Sequence, residues 1–151
     1  MKKYIFPYGF RLSLKDKRII SFPAVNVSLL KINSEEEFSF LILIDSGAEV
    51  SLFTKGDAEL LKISLNKGEK IEIGSASGDK FLAFLHPVIL KIGNEKFKIK
   101  VAFSERNDTP RVLGRNPLFS YFFIIFDNKN QNTIFIPRKD KAFENLIYSQ
   151  L

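Results

Sequence analysis

The chain has 151 residues, 45% of them hydrophobic and 26% charged, enough for one globular domain with a core and too few for two ordinary ones. Lys and Arg (23) exceed Asp and Glu (17) to give +6, but the basic residues are scattered and interleave with no aromatic stacking pattern, which argues against a nucleic-acid partner. The absence of cysteine excludes disulfides and thiolate metal sites.

Residues 1–7 lack the apolar core of a signal peptide. The longest apolar stretches, 38–44 and 117–126, are too short to span a bilayer, so the expectation is a cytoplasmic chain without membrane contact. Pro7 and Pro23 mark 1–23 as extended. Residues 24–32 are β-rich, and 33–37 form a polar connection. Residues 38–44 are apolar at nearly every position, which predicts a central strand covered on both faces. That run stops on Asp45-Ser46-Gly47-Ala48. An unpaired charge is costly to bury, and Gly47 lets the backbone turn sharply where Asp45 is presented, so this carboxylate is the candidate chemical group.

A short strand is expected at 50–53, then a helix at 54–61 with Thr54 as N-cap and Asp57 and Glu59 in its early turns. Residues 70–73 and 81–84 flank the small-residue tip 74–79 as a hairpin with a mobile end. A second hairpin, 88–92 with 96–103, turns at Gly93-Asn94. The lone histidine, His86, cannot build a zinc cage or serve a nucleophile system, and reads as a strand-edge residue. A polar loop at 104–110 leads to Val112-Leu113-Gly114, a short helix at 116–121, and strands 122–127 and 133–136 paired across an Asn-rich turn. Residues 139–151 suit an amphipathic helix with Phe143, Leu146 and Ile147 on one face. With no linker or repeat, 1–151 reads as one domain: a core at about 24–137, an N-terminal extension 1–23 and a tail 138–151.

Three of these elements in this order resemble the retroviral-type aspartic proteases, the retropepsins: Asp45-Ser46-Gly47-Ala48 on an aliphatic strand, the small-residue hairpin, and Val112-Leu113-Gly114-Arg115-Asn116 before a helix. The tripeptide alone is common in β proteins; the combination is specific. The resemblance implies an all-β fold with one or two short helices, a closed barrel-like monomer active as a two-fold homodimer, and an aspartic endopeptidase acting on polypeptides without a cofactor or metal. Asp45 would be the catalytic acid, paired with its copy. Ser46 would brace the two loops across the axis, and Gly47 would offer its carbonyl to substrate. Ile73, Gly74, Ser75, Ala76, Ser77 and Gly78 would form the flap that closes over bound peptide, with Ile73, Ala76, Phe84 and Val112 as candidate subsite residues. Glu49 and Arg115 would form a structural ion pair.

The chemistry explains the need for two chains. One carboxylate takes a proton from water while a carboxylic acid protonates the peptide carbonyl. Two carboxyls in contact share one proton, behaviour for which aspartic-protease dyads are the standard illustration. Asp57, Asp79, Asp108, Asp127 and Asp140 all lack a following Ser/Thr-Gly, so the second acid must come from a second copy. The chain departs from the retroviral enzymes in its 44 residues before Asp45, its 37 after Gly114 and its serine-bearing flap tip, which points to a different dimer interface. A protease-like peptide-binding or dimerisation module without turnover is the alternative reading.

Overall fold

The computed structural model describes residues 2–150; Met1 and Leu151 lie outside them. The strands are β1 (Tyr4–Pro7), β2 (Gly9–Ser13), β3 (Arg18–Phe22), β4 (Ala24–Lys31), β5 (Glu37–Ile44), β6 (Leu52–Phe53), β7 (Glu69–Gly74), β8 (Lys80–Ile92), β9 (Glu95–Ser104), β10 (Val112–Leu113), β11 (Phe122–Asp127) and β12 (Asn132–Pro137). Three short helices, α1 (Lys55–Leu60), α2 (Leu118–Tyr121) and α3 (Lys141–Tyr148), complete an all-β architecture.

Seven strands in the order β4-β5-β10-β6-β9-β8-β7 form the main sheet, and a further β4–β8 pairing closes six of them into a barrel. The closure depends on the length of β8. Its first half pairs with β7 (Phe81 opposite Ile73) and its second half with β4 (Leu90 opposite Leu29). The sequence suggested two separate strands here. They are one, and Pro87 is tolerated inside it, opposite Lys100 on β9. His86 lies mid-strand rather than at an edge; it is buried, and its Nε2 lies 2.9 Å from the Leu65 carbonyl oxygen.

Alternating residues of β4, β5, β8 and β9 fill the barrel with Val25, Val27, Leu29, Ile42, Leu90, Ile92, Val101 and Phe103. Burial of such side chains stabilises by roughly 1.5–3 kcal/mol each before entropy is counted. The expectation that 38–44 is covered on both faces is corrected here. Phe40, Ile42 and Ile44 are buried, whereas Leu41 on the opposite face is 48% exposed. A near-continuous apolar run signals two-sided burial only when a second layer exists, and on this side only the Leu43 end is packed, half-buried against the cluster of Leu52, Ala83, Ala102 and Val112.

The extension 1–23 contains more than extended chain. Its first strand, β1, pairs antiparallel with β12, which pairs with β11, giving a three-stranded sheet in the order β1-β12-β11. Phe122 and Phe135 carry that sheet into the barrel core, with Phe97 stacked on Tyr121 at 4.6 Å. Strands β2 and β3 form a separate hairpin whose Phe10, Leu12, Leu14 and Ile19 are exposed. In α3, Phe143 packs edge-on against Phe123 at 5.3 Å, while Leu146 is exposed. No described helix is long and apolar enough to cross a membrane.

Candidate active site

Asp45 sits one residue beyond β5, where the aliphatic run ends. Its own N–H donates to the Leu113 carbonyl (3.1 Å), Gly47 N–H donates to Asp45 Oδ1 (2.8 Å), and Ala48 N–H donates to the Asp45 carbonyl (3.3 Å). These bonds make a tight Asx-type turn that fixes the carboxylate. Strand β10 wedges beside it, parallel to β5 (Leu113 opposite Ile44) and antiparallel to β6 (Val112 opposite Leu52).

The far side of the loop is clasped by the segment after β10. Arg115 N–H donates to the Ala48 carbonyl (2.9 Å), Asn116 N–H to the Glu49 carbonyl (2.8 Å), and Gly114 N–H to Ser51 Oγ (3.0 Å). Gly114 permits this approach because a Cβ there would lie 2.4 Å from the Val50 carbonyl oxygen. The residue types Asp-Ser-Gly and Gly-Arg-Asn, distant in sequence, are thus one local structure.

The geometry differs from the expectation for Glu49 and Arg115. They line one surface hollow of about 380 Å³ with Asn116, Phe119 and Ser120, but no ion pair joins them. Both side chains are exposed, and an exposed pair gains little over solvation; the backbone bonds already tie the two segments. The charged clamp is elsewhere. Arg111 Nε and Nη2 donate to Asp57 Oδ2 and Oδ1 at 2.8 and 2.9 Å, and Asp57 is only 3% exposed. Asp57 is also the third residue of a capping box: Thr54 N–H donates to Asp57 Oδ2 (2.9 Å) and Asp57 N–H to Thr54 Oγ1 (3.2 Å). Burial pushes this carboxyl up, but the Arg111 and Thr54 donors outweigh it and hold the acid below its ordinary value. Sequence reasoning assigned Asp57 only to the helix start. The only trace in the sequence was Thr54-x-x-Asp57, the capping-box spacing, which positions the carboxylate but names no second partner.

Asp45 is left open by comparison. It is half-buried, Ser46 and Gly47 are exposed, and among the described residues the only partner of its carboxylate is Gly47 N–H. An apolar patch lies around it, in which Ala48, Val50, Leu43 and Val112 pack with Ile71, Ile73 and Phe81 of the β7–β8 hairpin. Phe84 stands outside that patch, on the other face of β8, and Ala76 is at the exposed tip. The tip is closed by Ser75 N–H to the Asp79 carbonyl (2.8 Å) and Gly78 N–H to the Ser75 carbonyl (3.0 Å), with Gly78 at φ 89°. Ser75 Oγ and Ser77 Oγ lie 2.7 Å apart, and Ser77 Oγ donates to Asp79 Oδ2 (3.3 Å). Nothing lies within 4 Å of where Gly74 or Gly78 would carry a Cβ, so the tip stands clear of the rest of the chain. A larger hollow of about 670 Å³ runs along the open face of β5, lined by Arg11, Phe22, Leu41, Leu43, Thr109 and Arg111 among others.

A closed barrel with an Asp-Ser-Gly loop clasped by a Leu-Gly-Arg-Asn segment, beside a projecting hairpin, is the retropepsin fold. Solved structures share it, these two among them. The EIAV protease, solved in complex with the inhibitor HBY-793, is 24% identical and aligns over 66% of this chain and 86% of its own, with a TM-score of 0.51. A retropepsin-like aspartic protease from Rickettsia conorii is 20% identical over 89% of this chain and 98% of its own, with a TM-score of 0.58. No protein-family model matches the chain, and no curated protein matches it.

Proposed function

We propose that the protein is an aspartic endopeptidase, a hydrolase in which Asp45 and the same residue of a second copy activate water against a peptide bond. The observation that carries this reading is the state of Asp45: a carboxylate fixed by its own turn, half-buried, in no ion pair among the described residues, and next to an apolar patch under a projecting hairpin. One acid of the dyad removes a proton from water, whose oxygen adds to the carbonyl carbon, while the other, protonated, donates to the carbonyl oxygen; the tetrahedral diol then breaks its C–N bond as the dyad returns a proton to the leaving nitrogen. Ser46 supports the loop across the axis, and Gly47 presents backbone to substrate. Residues 73–78 act as the flap, which adds backbone hydrogen bonds to an extended polypeptide and keeps water out. Glu49 and Arg115 support the base of the loop through its backbone. No cofactor is required.

The test is cleavage of a denatured protein at acidic pH. Wild type is expected to cleave with a bell-shaped pH dependence, because one carboxyl must stay protonated and the other ionised. Asp45→Asn is expected to be inactive. Cleavage retained by that variant, or a rate that stays flat from acidic to neutral pH, overturns the mechanism. A stable monomer inactive at every pH favours instead a protease-like binding module.

A further inference from the structure

Strands β2 and β3 form a two-stranded sheet of their own, paired with no other strand among the described residues. Its root is fixed. Tyr8 is buried and its N–H donates to the Gln131 carbonyl (2.7 Å), while Ala24, at the start of β4, is fully buried. Beyond that root the hairpin stands alone, and two strands by themselves are marginal in water unless a face is covered.

The two faces of the hairpin differ. Leu12 stands opposite Ile19 and Phe10 opposite Ser21, so Phe10, Leu12 and Ile19 share one face by strand alternation. Arg11, opposite Ile20, and Phe22, opposite Gly9, share the other. Arg11 and Phe22 line the hollow along β5, so their face is turned to the barrel and the apolar face is the outer one. Phe10, Leu12 and Ile19 are 65%, 60% and 75% exposed, and Leu14 at the turn reaches 88%, the most of the described large hydrophobic residues. Single exposed apolar residues are ordinary; four on one ridge mark a contact surface.

Charge decides what that ridge meets. Asp16 is the sole acid in residues 1–34, against seven lysines and arginines. It pairs with Arg18, and Lys15 and Lys17 on either side of it stand in no ion pair among the described residues. A second copy of the ridge would supply apolar contact but only further cations. A bilayer with anionic headgroups supplies both complements: acyl chains for the apolar side chains and negative charge for the lysines, which extend along the ridge to keep their ammonium groups wet. The expectation of no membrane contact rested on the lack of a spanning segment, and a hairpin lying in the interface needs none. We propose that the outer face of the β2–β3 hairpin docks the protein reversibly on an anionic lipid bilayer. Phe10, Leu12, Leu14 and Ile19 enter the acyl boundary, and Lys15, Lys17 and Arg18 lie at the headgroups. Docking of this kind goes beyond the protease reading and does not depend on Asp45.

The test is co-sedimentation of the full chain with vesicles of phosphatidylcholine and phosphatidylserine, compared with phosphatidylcholine alone. Binding should be at least about 10-fold tighter to the mixed vesicles and should weaken as salt shortens the range of the charges. Leu14→Ser should weaken it about 10-fold, and Leu12→Ser by a similar factor, with unchanged circular dichroism spectra because both side chains are exposed. Lys15→Glu with Lys17→Glu should weaken it at least about 10-fold. Leu146→Ser, on the exposed face of α3, should bind as wild type does, and so should Asp45→Asn, whether or not the chain cleaves protein. No binding to the mixed vesicles, or equal binding to both kinds, overturns the docking. Binding that the lysine changes abolish but both leucine changes leave intact shows adsorption by net charge alone and overturns it too. So does self-association without lipid that Leu12→Ser and Leu14→Ser abolish while vesicle binding persists, since the ridge is then a contact between copies.

Discussion

Asp45 and Asp57 lie twelve residues apart on the same stretch of chain and are treated in opposite ways. Asp57 is buried, takes a bidentate guanidinium and both ends of a capping box, and leaves little acceptor capacity unused. Asp45, half-buried, accepts one hydrogen bond among the described residues, from a backbone group two residues on. An acid that holds structure is saturated by donors. An acid meant for proton transfer must be positioned by its backbone and left free at its oxygens.

The sharpest test of that contrast exchanges each carboxylate for an amide. Asp45→Asn should lower kcat/KM at least about a thousandfold while leaving the thermal midpoint essentially unmoved, as steady-state assays and melting curves on one preparation would register. Asp57→Asn should do the reverse. It breaks a buried charge pair, and with Arg111 41% exposed the low end of the usual range applies, so a loss of about 3 kcal/mol is expected in urea denaturation. A large stability loss at Asp45, or none at Asp57, would erase the distinction.

Smaller effects sharpen it. Gly114→Ala pushes a Cβ toward the Val50 carbonyl and should cost about 2 kcal/mol, with activity falling further than stability accounts for because the Asp45 loop shifts. Glu95 extends the saturated class: Lys139 and Lys2 donate to it, with Tyr4 adding a third bond, and they hold its pKa at about 2. A carboxyl depressed on folding contributes stability that is complete above its unfolded value and lost as pH falls toward the folded one. The gap in melting temperature between wild type and Glu95→Gln should therefore be full at pH 6 and should narrow between about pH 4.5 and pH 2, as a scan in that window would reveal. Glu49→Ala should be the mildest change, within about 0.5 kcal/mol by denaturant titration, since no pair is lost.

Much of this was legible in the amino-acid order because it depended on local chemistry. The Asx-type turn at Asp45, the Thr54 cap, the Gly93-Asn94 turn and the pairing of 122–127 with 133–136 across its Asn-rich turn follow from which backbone groups a short side chain or a glycine can serve. What escaped depended on layers. The run 38–44 looks doubly buried because its residues are apolar, yet which face a second layer covers is a tertiary fact, and Leu41 was left outside. The Asp57–Arg111 pair joins residues 54 positions apart, and nothing near Arg111 announces its partner. The expected Glu49–Arg115 pair failed for the complementary reason: the segments do meet, but through main-chain atoms that do not depend on either charge.

The length of β8 has a mechanical consequence. The strand that forms one arm of the projecting hairpin is also a stave of the barrel, so the tip at Ser75–Ser77 cannot swing as an independent loop. Any bending of the hairpin would pivot at His86-Pro87, where the neighbouring strand changes from β7 to β4 and the imidazole Nε2 lies 2.9 Å from the Leu65 carbonyl oxygen. Whatever bends the hairpin is thereby felt in the wall of the core.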